Sequence, residues 1–213
     1  MRAPGVVREI DVGERALIAL TFDDGPGDWT PAILDALERH AARATFFYLG
    51  ERLQGREQVV RRALAEGHEP GNHLFSHRHP EALSDDEIRD EIARTAGEIE
   101  RVTGATASLL RPPYGEEPER VAAIGAELRL GPVVLWSIDP EDWKSPPVHE
   151  IVEHVLDEAR AGAIVDLHDG WGRTPRDRQP TVEALERLLP ELRSRGFDVV
   201  TVSELLHAAR HAG

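Results

Sequence analysis

The amino-acid sequence predicts one α/β domain, residues 1–213, whose parallel strands close or nearly close into a barrel. Short apolar runs, most of them rich in β-branched and aromatic residues, recur along the chain, and amphipathic segments separate most of them. Strands that alternate with helices over short connections form parallel sheets. The sequence contains no repeat, linker or low-complexity segment. At 213 residues, it fits a single barrel domain.

Seven short runs have the composition of buried strands. They are ALIALTF, ATFFYL, HEPGNH, SLLRP, VVLWSI, AIVDLH and FDVVTV. In barrels of parallel strands the chemistry lies at the carboxyl ends of the strands. The residues that follow each run are therefore the candidates for a functional site.

Helix boundaries are predicted from capping residues. Thr30, which precedes a proline, is the predicted N-cap of the first helix. Ser84 and Glu87 form the pattern of a capping box. Ser145, again before a proline, is the predicted N-cap of a later helix, with Gly162 as its stop.

Charge and composition exclude some functions. The formal net charge of -14, from 39 acidic and 25 basic residues, argues against a nucleic-acid partner, which requires a basic surface. No apolar run approaches the length of about 18 residues that a membrane span needs. Cysteine is absent, so disulfides and thiolate metal sites are excluded. With no signal peptide, the sequence as written predicts a cytoplasmic protein, although a secreted protein whose leader had been removed would look the same. No protein partner is indicated.

The residues at the strand ends are nearly all polar. Asp23 and Asp24 follow the first strand directly, in the stretch ALTFDDGP. Alone, such a stretch is equally well explained as a turn, because Asp, Gly and Pro form turns. Histidines, carboxylates and one arginine at the other ends are the set that a hydrolytic metal site requires. These other residues are His73, His77, Arg111, Tyr114, Asp139, Asp142, Trp143, His168 and Asp169.

His73 and His77 are the candidate imidazole ligands of a metal ion. They are four residues apart, a spacing that lets two histidines on one helical turn reach one ion. With a carboxylate such as Asp24 they leave an open position for water, as catalytic zinc sites do. His79 is a decoy or an alternative ligand, because histidines two apart converge only on an extended segment. The remaining histidines other than His168 are expected to be solvated or structural.

Five motifs in order, TFDDGP, HLFSH, RPPYG, DPEDW and DLHDG, resemble those of the polysaccharide deacetylases of carbohydrate esterase family 4. The resemblance extends from about residue 16 to residue 206. It implies a distorted (β/α)7 barrel and a metal-dependent enzyme that removes N-acetyl groups, or alternatively O-acetyl groups, from an amino sugar, oligosaccharide or polysaccharide. The implied cofactor is one divalent metal ion, zinc first, with cobalt or nickel also compatible.

The resemblance also implies a role for each motif residue. Asp24, His73 and His77 would hold the metal, and Asp23 would act as the base toward water on the metal. Arg111 would orient that base. Amide hydrolysis needs such a nucleophile at neutral pH, which a zinc-like ion provides by lowering the pKa of water to about 7.

The leaving amine needs a second group that delivers a proton. By resemblance, His168 is this acid, and Asp142 keeps it protonated and oriented. Tyr114 would direct its backbone N–H at the oxyanion and line the groove with its ring, and Trp143 would form a wall of the pocket.

Two departures from the family pattern stand out. Leu74 replaces the hydroxyl residue that usually follows the first metal histidine, so a supporting hydroxyl must come from elsewhere, such as Ser76. Asp166 replaces a leucine that the resemblance places against the acetyl methyl. Asp166 and Leu167 are candidate substrate-binding residues. Either an arginine or polar network neutralises Asp166, or the acyl pocket accepts a small, polar or cationic group.

The substrate is open beyond a carbohydrate or an acylated amino sugar. Trp29 and Trp171 could stack on sugar faces or cap the packing. A related metal-dependent amidohydrolase acting on a non-sugar or differently acylated substrate is an alternative. An inactive carbohydrate-binding homologue is a minor alternative. Such a homologue would lack the base, a metal ligand or the acid, and this sequence contains a candidate for each of them.

Overall fold

Parallel strands, most of them followed by helices, frame the fold in the computed structural model, which describes residues 5–172 and 174–210. Within these ranges the strands are β1 (Val6–Val7), β2 (Leu17–Gly25), β3 (Thr45–Tyr48), β4 (Glu69–Asn72), β5 (Val133–Val134), β6 (Ile164–His168) and β7 (Asp198–Val200). The helices are α1 (Thr30–Arg39), α2 (Glu57–Ala65), α3 (Asp85–Thr103), α4 (Pro118–Glu127), α5 (Val148–Glu158), α6 (Gln179–Ser194) and α7 (Val202–Arg210). The predicted alternation of strands and helices is confirmed.

Strand β2 is the centre of the sheet. The main sheet has the order β4–β3–β2–β6, β7 pairs with the first residues of β2, and every pair is parallel. In this register Asp23 of β2 lies beside His168 of β6 and beside Phe47 of β3. The sheet therefore brings the carboxyl ends of β2 and β6 to the same level.

The barrel is completed by single bridges rather than by full strands. Leu110 bridges Asn72 of β4 on one side and Val133 of β5 on the other, and Ile138 bridges Val165 of β6. The prediction of a full strand at SLLRP is therefore wrong. Two prolines follow Arg111 in the sequence, and proline has no N–H with which to extend the pairing.

Two helix starts differ from the prediction, and one agrees with it. Helix α1 has Trp29 as its N-cap, while the Thr30 hydroxyl donates to Asp169 instead. Helix α5 begins after Pro147 and ends at Glu158, so Ser145 is not its cap and Gly162 is not its stop. The capping box of Ser84 and Glu87 at the start of α3 is confirmed.

The faces of the strands separate the apolar core from the barrel interior. Ile18, Leu20 and Phe22 of β2 pack in an apolar cluster with helices α1, α5 and α6. The alternate residues Thr21 and Asp23 lie on the opposite strand face and are buried as well. The barrel interior is thus polar near the carboxyl ends of the strands. None of the helices among the described residues is both long and apolar enough to cross a bilayer.

Candidate active site

A cavity of about 450 Å³ opens at the carboxyl ends of the strands. The described residues that line it include eight of the eleven predicted from the strand ends, all except Arg111, Asp142 and Asp169. On its floor lie Asp23, Asp24, His73, His77, Asp166 and His168. The predicted residues therefore form one site.

Asp24, His73 and His77 form the cluster with the geometry of a metal site. Asp24 Oδ1 lies 2.9 Å from His77 Nε2 and 3.5 Å from His73 Nε2. This buried oxygen makes no hydrogen bond with any described residue. Burial raises the pKa of Asp24, but the nearby imidazoles of His73 and His77 outweigh it and hold the pKa well below its usual value. An ionised, unpartnered carboxylate oxygen beside two imidazole nitrogens fits a divalent cation.

Both imidazoles are oriented by residues of the segment that follows Leu110. His73 Nδ1 lies 2.7 Å from the carbonyl oxygen of Arg111, which can only accept, so Nδ1 carries the proton and Nε2 presents its lone pair toward Asp24. His77 Nδ1 lies 3.1 Å from the Tyr114 hydroxyl. The suggestion that Ser76 supports a ligand is wrong, because its hydroxyl donates to Glu91, which also accepts from the Ser76 N–H.

The two histidines do not lie on a helical turn. Residues 73–77 form a loop in which Leu74 and His77 adopt φ of 63° and 51°. Left-handed residues turn the loop so that both rings meet, with centroids 5.4 Å apart. The prediction that His73 and His77 lie on one helical turn is therefore wrong. The two imidazoles nevertheless converge, as predicted.

Arg111 joins the first carboxylate to Asp166. It is fully buried, and its Nη1 donates to Asp23 Oδ1, Asp166 Oδ1 and Thr21 Oγ1, each at 2.8 Å. Its Nε donates to the carbonyl of Val134 at 2.9 Å. A buried guanidinium is tolerated only when paired in this way. Asp23 is thus held through Oδ1, while its Oδ2 lies 3.6 Å from His73 Nε2.

His168 and Asp142 form the second pair, in which Asp142 is buried and His168 is partly exposed to the cavity. His168 Nδ1 donates to Asp142 Oδ1 at 2.7 Å, and Asp142 Oδ2 accepts from the His168 N–H and the Thr181 hydroxyl. Burial lowers the pKa of His168, but the charge and hydrogen bond of Asp142 outweigh it and raise the pKa to about 10. The imidazole is therefore protonated at neutral pH and keeps Nε2–H for a ligand.

Three residues around this pair had no role assigned from the sequence. Thr181 lies on α6, and the fully buried Arg178 donates to the carbonyls of Asp142 and Gly170. Asp169 is buried against Thr30; burial and the charge of Asp24 raise its pKa to about 7. The only available signal was that Asp169 directly follows a strand.

The outer wall of the cavity is aromatic. Tyr114 and Trp143, both predicted, are 45% and 43% exposed, and Trp136 lines the cavity beside them. Tyr114 has φ of 60° and stacks on His79, which is bonded to Glu116 rather than to the Asp24 cluster. His79 is therefore not a ligand of that cluster.

Three other sequence candidates lie outside the cavity lining. Trp171 lies under the guanidinium of Arg52, and Trp29 caps α1. Leu167 is fully buried in the apolar cluster, because it lies on the strand face opposite Asp166 and His168. The prediction that Leu167 contacts substrate is wrong.

Comparison with known proteins identifies the family. The family model for polysaccharide deacetylase matches residues 11–133. The chain belongs to the polysaccharide deacetylase family. It is 42% identical to a peptidoglycan-N-acetylglucosamine deacetylase of Bacillus cereus over 192 residues, 89% of this chain and 88% of the relative.

Two further relatives agree with this assignment. A chitooligosaccharide deacetylase of a Bradyrhizobium strain is 38% identical, covering 92% of this chain and 93% of the relative. The crystal structure of the Bc1960 peptidoglycan N-acetylglucosamine deacetylase has a TM-score of 0.87 and 34% identity, covering 96% of this chain and 93% of that one. The predicted distorted (β/α)7 barrel is therefore confirmed as the fold of this chain. Its enzyme class is a metal-dependent amino-sugar deacetylase.

Proposed function

We propose that this polysaccharide deacetylase hydrolyses the N-acetyl group of N-acetylglucosamine residues in peptidoglycan or chitooligosaccharides, with one divalent cation held by Asp24, His73 and His77. The observation that carries the proposal is that Asp23, held by Arg111, and His168, held by Asp142, line the same cavity as this cluster. The named relatives act on these two kinds of glycan.

Zinc is the proposed ion. Two imidazoles and one carboxylate are a ligand set of catalytic zinc, and they leave a position open for another ligand. Cobalt and nickel suit the same ligands. When bound, the cation supplies Lewis acidity, which polarises an amide carbonyl and makes water a nucleophile at neutral pH.

The proton movements are proposed for residues on either side of the cluster. Arg111 holds Asp23 Oδ1, so Asp23 Oδ2 accepts the proton of the attacking water as its oxygen bonds to the acyl carbon. His168, whose Nδ1 is bonded to Asp142, donates the proton on Nε2 to the amide nitrogen as the C–N bond breaks. The products are acetate and a free amine. A backbone N–H of Tyr114 at the oxyanion stays a prediction.

A second candidate is hydrolysis of an acylated amine that is not a sugar. Asp166 favours it, because a carboxylate in the cavity is suited to a polar group.

A cytoplasmic location also stays a proposal drawn from the sequence.

The test is amine release from a substrate panel after chelation and metal add-back. The panel consists of chitooligosaccharides, peptidoglycan fragments, acetylxylan and N-acetyl aminocyclitols. We expect zinc-dependent release from the first two, and loss of activity after chelation that zinc restores. Activity confined to the aminocyclitols, or full activity after chelation, would contradict the proposal.

A further inference from the structure

Asp166 places a carboxylate in the cavity at a position the hydrolysis does not use. It lies on β6 two residues before His168, on the same face of the strand, and it is 3% exposed. It lines the cavity together with Asp23 and His168. Any group that enters between the base and the acid therefore approaches Asp166.

Among the described residues, hydrogen-bond donors reach only one oxygen of this carboxylate. Asp166 Oδ1 accepts from Arg111 Nη1, and Oδ2 accepts no hydrogen bond from any described residue. Arg111 Nη1 is already shared with Asp23 and Thr21. Asp166 lines the cavity, and a carboxylate oxygen can accept hydrogen bonds whether or not its partner oxygen is bonded. Oδ2 is therefore suited to a donor that the substrate supplies.

The acyl group is the part of the substrate that reaches this oxygen. Aromatic rings stack on the faces of sugars, and the exposed rings of Tyr114 and Trp143 place the sugar on the outer side of the cavity. The amide nitrogen must reach His168 and the carbonyl must reach the water beside Asp23. The substituent on the acyl carbon then points inward, toward Asp166.

Resting on the proposed function, we propose that Asp166 Oδ2 binds a hydroxyl on the acyl group, so that the enzyme removes N-glycolyl groups in preference to N-acyl groups that lack a hydroxyl. N-glycolyl has the shape of N-propionyl with a hydroxyl in place of the terminal methyl. An apolar methyl at the same position leaves Oδ2 without a donor. The specificity therefore depends on one hydrogen bond.

A hydroxyl suits this site better than an ammonium does. Burial and the charge of Asp23 raise the pKa of Asp166 well above its usual value, against the influence of Arg111. A hydroxyl donates to the ionised carboxylate and accepts from the neutral carboxyl, whereas an ammonium pairs only with the ionised form. An ammonium would also lie close to the Arg111 guanidinium and to the cation that the cluster holds.

The test compares kcat/KM for N-acetyl, N-propionyl and N-glycolyl glucosamine oligomers that are otherwise identical, with zinc present and release of the free amine as the readout. For the wild type we expect a glycolyl-to-propionyl ratio of at least about 10. Asp166→Leu should lower this ratio at least about tenfold while still cleaving the propionyl substrate.

Thr21→Val is the matched control. Thr21 accepts from the same Arg111 Nη1 but does not line the cavity, so its loss should change kcat/KM for all three substrates by the same factor. A wild-type ratio within about threefold of one contradicts the inference. So does an equal loss of the ratio in Thr21→Val, which would show that the effect passes through Arg111. Failure to cleave any of the three substrates would instead overturn the proposed function, and this inference with it.

Discussion

The adjacent carboxylates Asp23 and Asp24 at the end of β2 have different partners. Asp23 is bonded to Arg111 inside the barrel, whereas Asp24, with φ of 69°, faces His73 and His77. Successive residues of an extended strand point to opposite sides, and the left-handed backbone at Asp24 brings its side chain to the cavity instead. The two carboxylates therefore suit the two roles proposed for them, proton transfer for Asp23 and cation binding for Asp24.

Substituting Asp23 tests the proposed base. Asp23→Asn keeps the shape of the side chain and an oxygen for Arg111, but it removes the proton acceptor. We expect kcat to fall by about 10²–10⁴. Zinc content, measured by mass spectrometry, should match the wild type, because Asp23 is outside the ligand cluster. Near-normal turnover with zinc retained would refute the assignment.

The pH profile tests the proposed acid. A general acid works below its own pKa, so kcat/KM of the wild type should decline only as the pH rises through the pKa of His168, about 10. Asp142→Asn removes the charge that raises this pKa and leaves burial, which lowers it. The alkaline decline should therefore move to lower pH by more than about one unit.

Asp139→Asn is the control for this profile. Asp139 lies in the same cavity but bonds to the N–H of Glu141 rather than to His168. Its substitution should move the alkaline decline less than Asp142→Asn does, since the charge of Asp139 acts on His168 without a hydrogen bond. Equal shifts in both variants would contradict the specific role of Asp142.

At the scale of elements, a loop rather than a helix places the two proposed histidine ligands. His73 and His77 converge through left-handed residues of a loop that Asn72 and Glu91 hold: Leu74 N–H donates to Asn72, and Phe75 and Ser76 N–H donate to Glu91. The sequence allowed the ligand types and their spacing to be predicted. The loop conformation could not be predicted, because it depends on hydrogen bonds to Glu91 of the following helix α3, which no local pattern within the loop specifies.

Capping of α3 tests the contribution of one element to stability. Ser84→Ala removes the acceptor of the Glu87 N–H and should lower the free energy of unfolding by about 1 kcal/mol. Denaturant unfolding measures this change. Ser194→Ala, at the exposed end of α6, is the control and should change it by less than about 0.5 kcal/mol. An equal effect of both substitutions would contradict the capping contribution.

For the whole molecule, the barrel was predictable because its strands alternate with amphipathic helices and most are rich in β-branched residues. The way the barrel closes was not predictable, because it depends on single β-bridges at Leu110 and Ile138, which no local sequence pattern specifies. Asp166 shows the same limit at the site. Its direction followed from strand alternation, but its sharing of Arg111 with Asp23 required the distant chain segments to be assembled.

The assembled barrel has one central consequence: three side chains from β2 and the loop after β4 surround a position for a divalent cation. A crystal structure of the zinc-loaded protein, with anomalous scattering measured at the zinc edge, tests it most directly. The account predicts one strong peak about 2.0–2.2 Å from Asp24 Oδ1, His73 Nε2 and His77 Nε2. A peak elsewhere, or none at these three atoms, would contradict it.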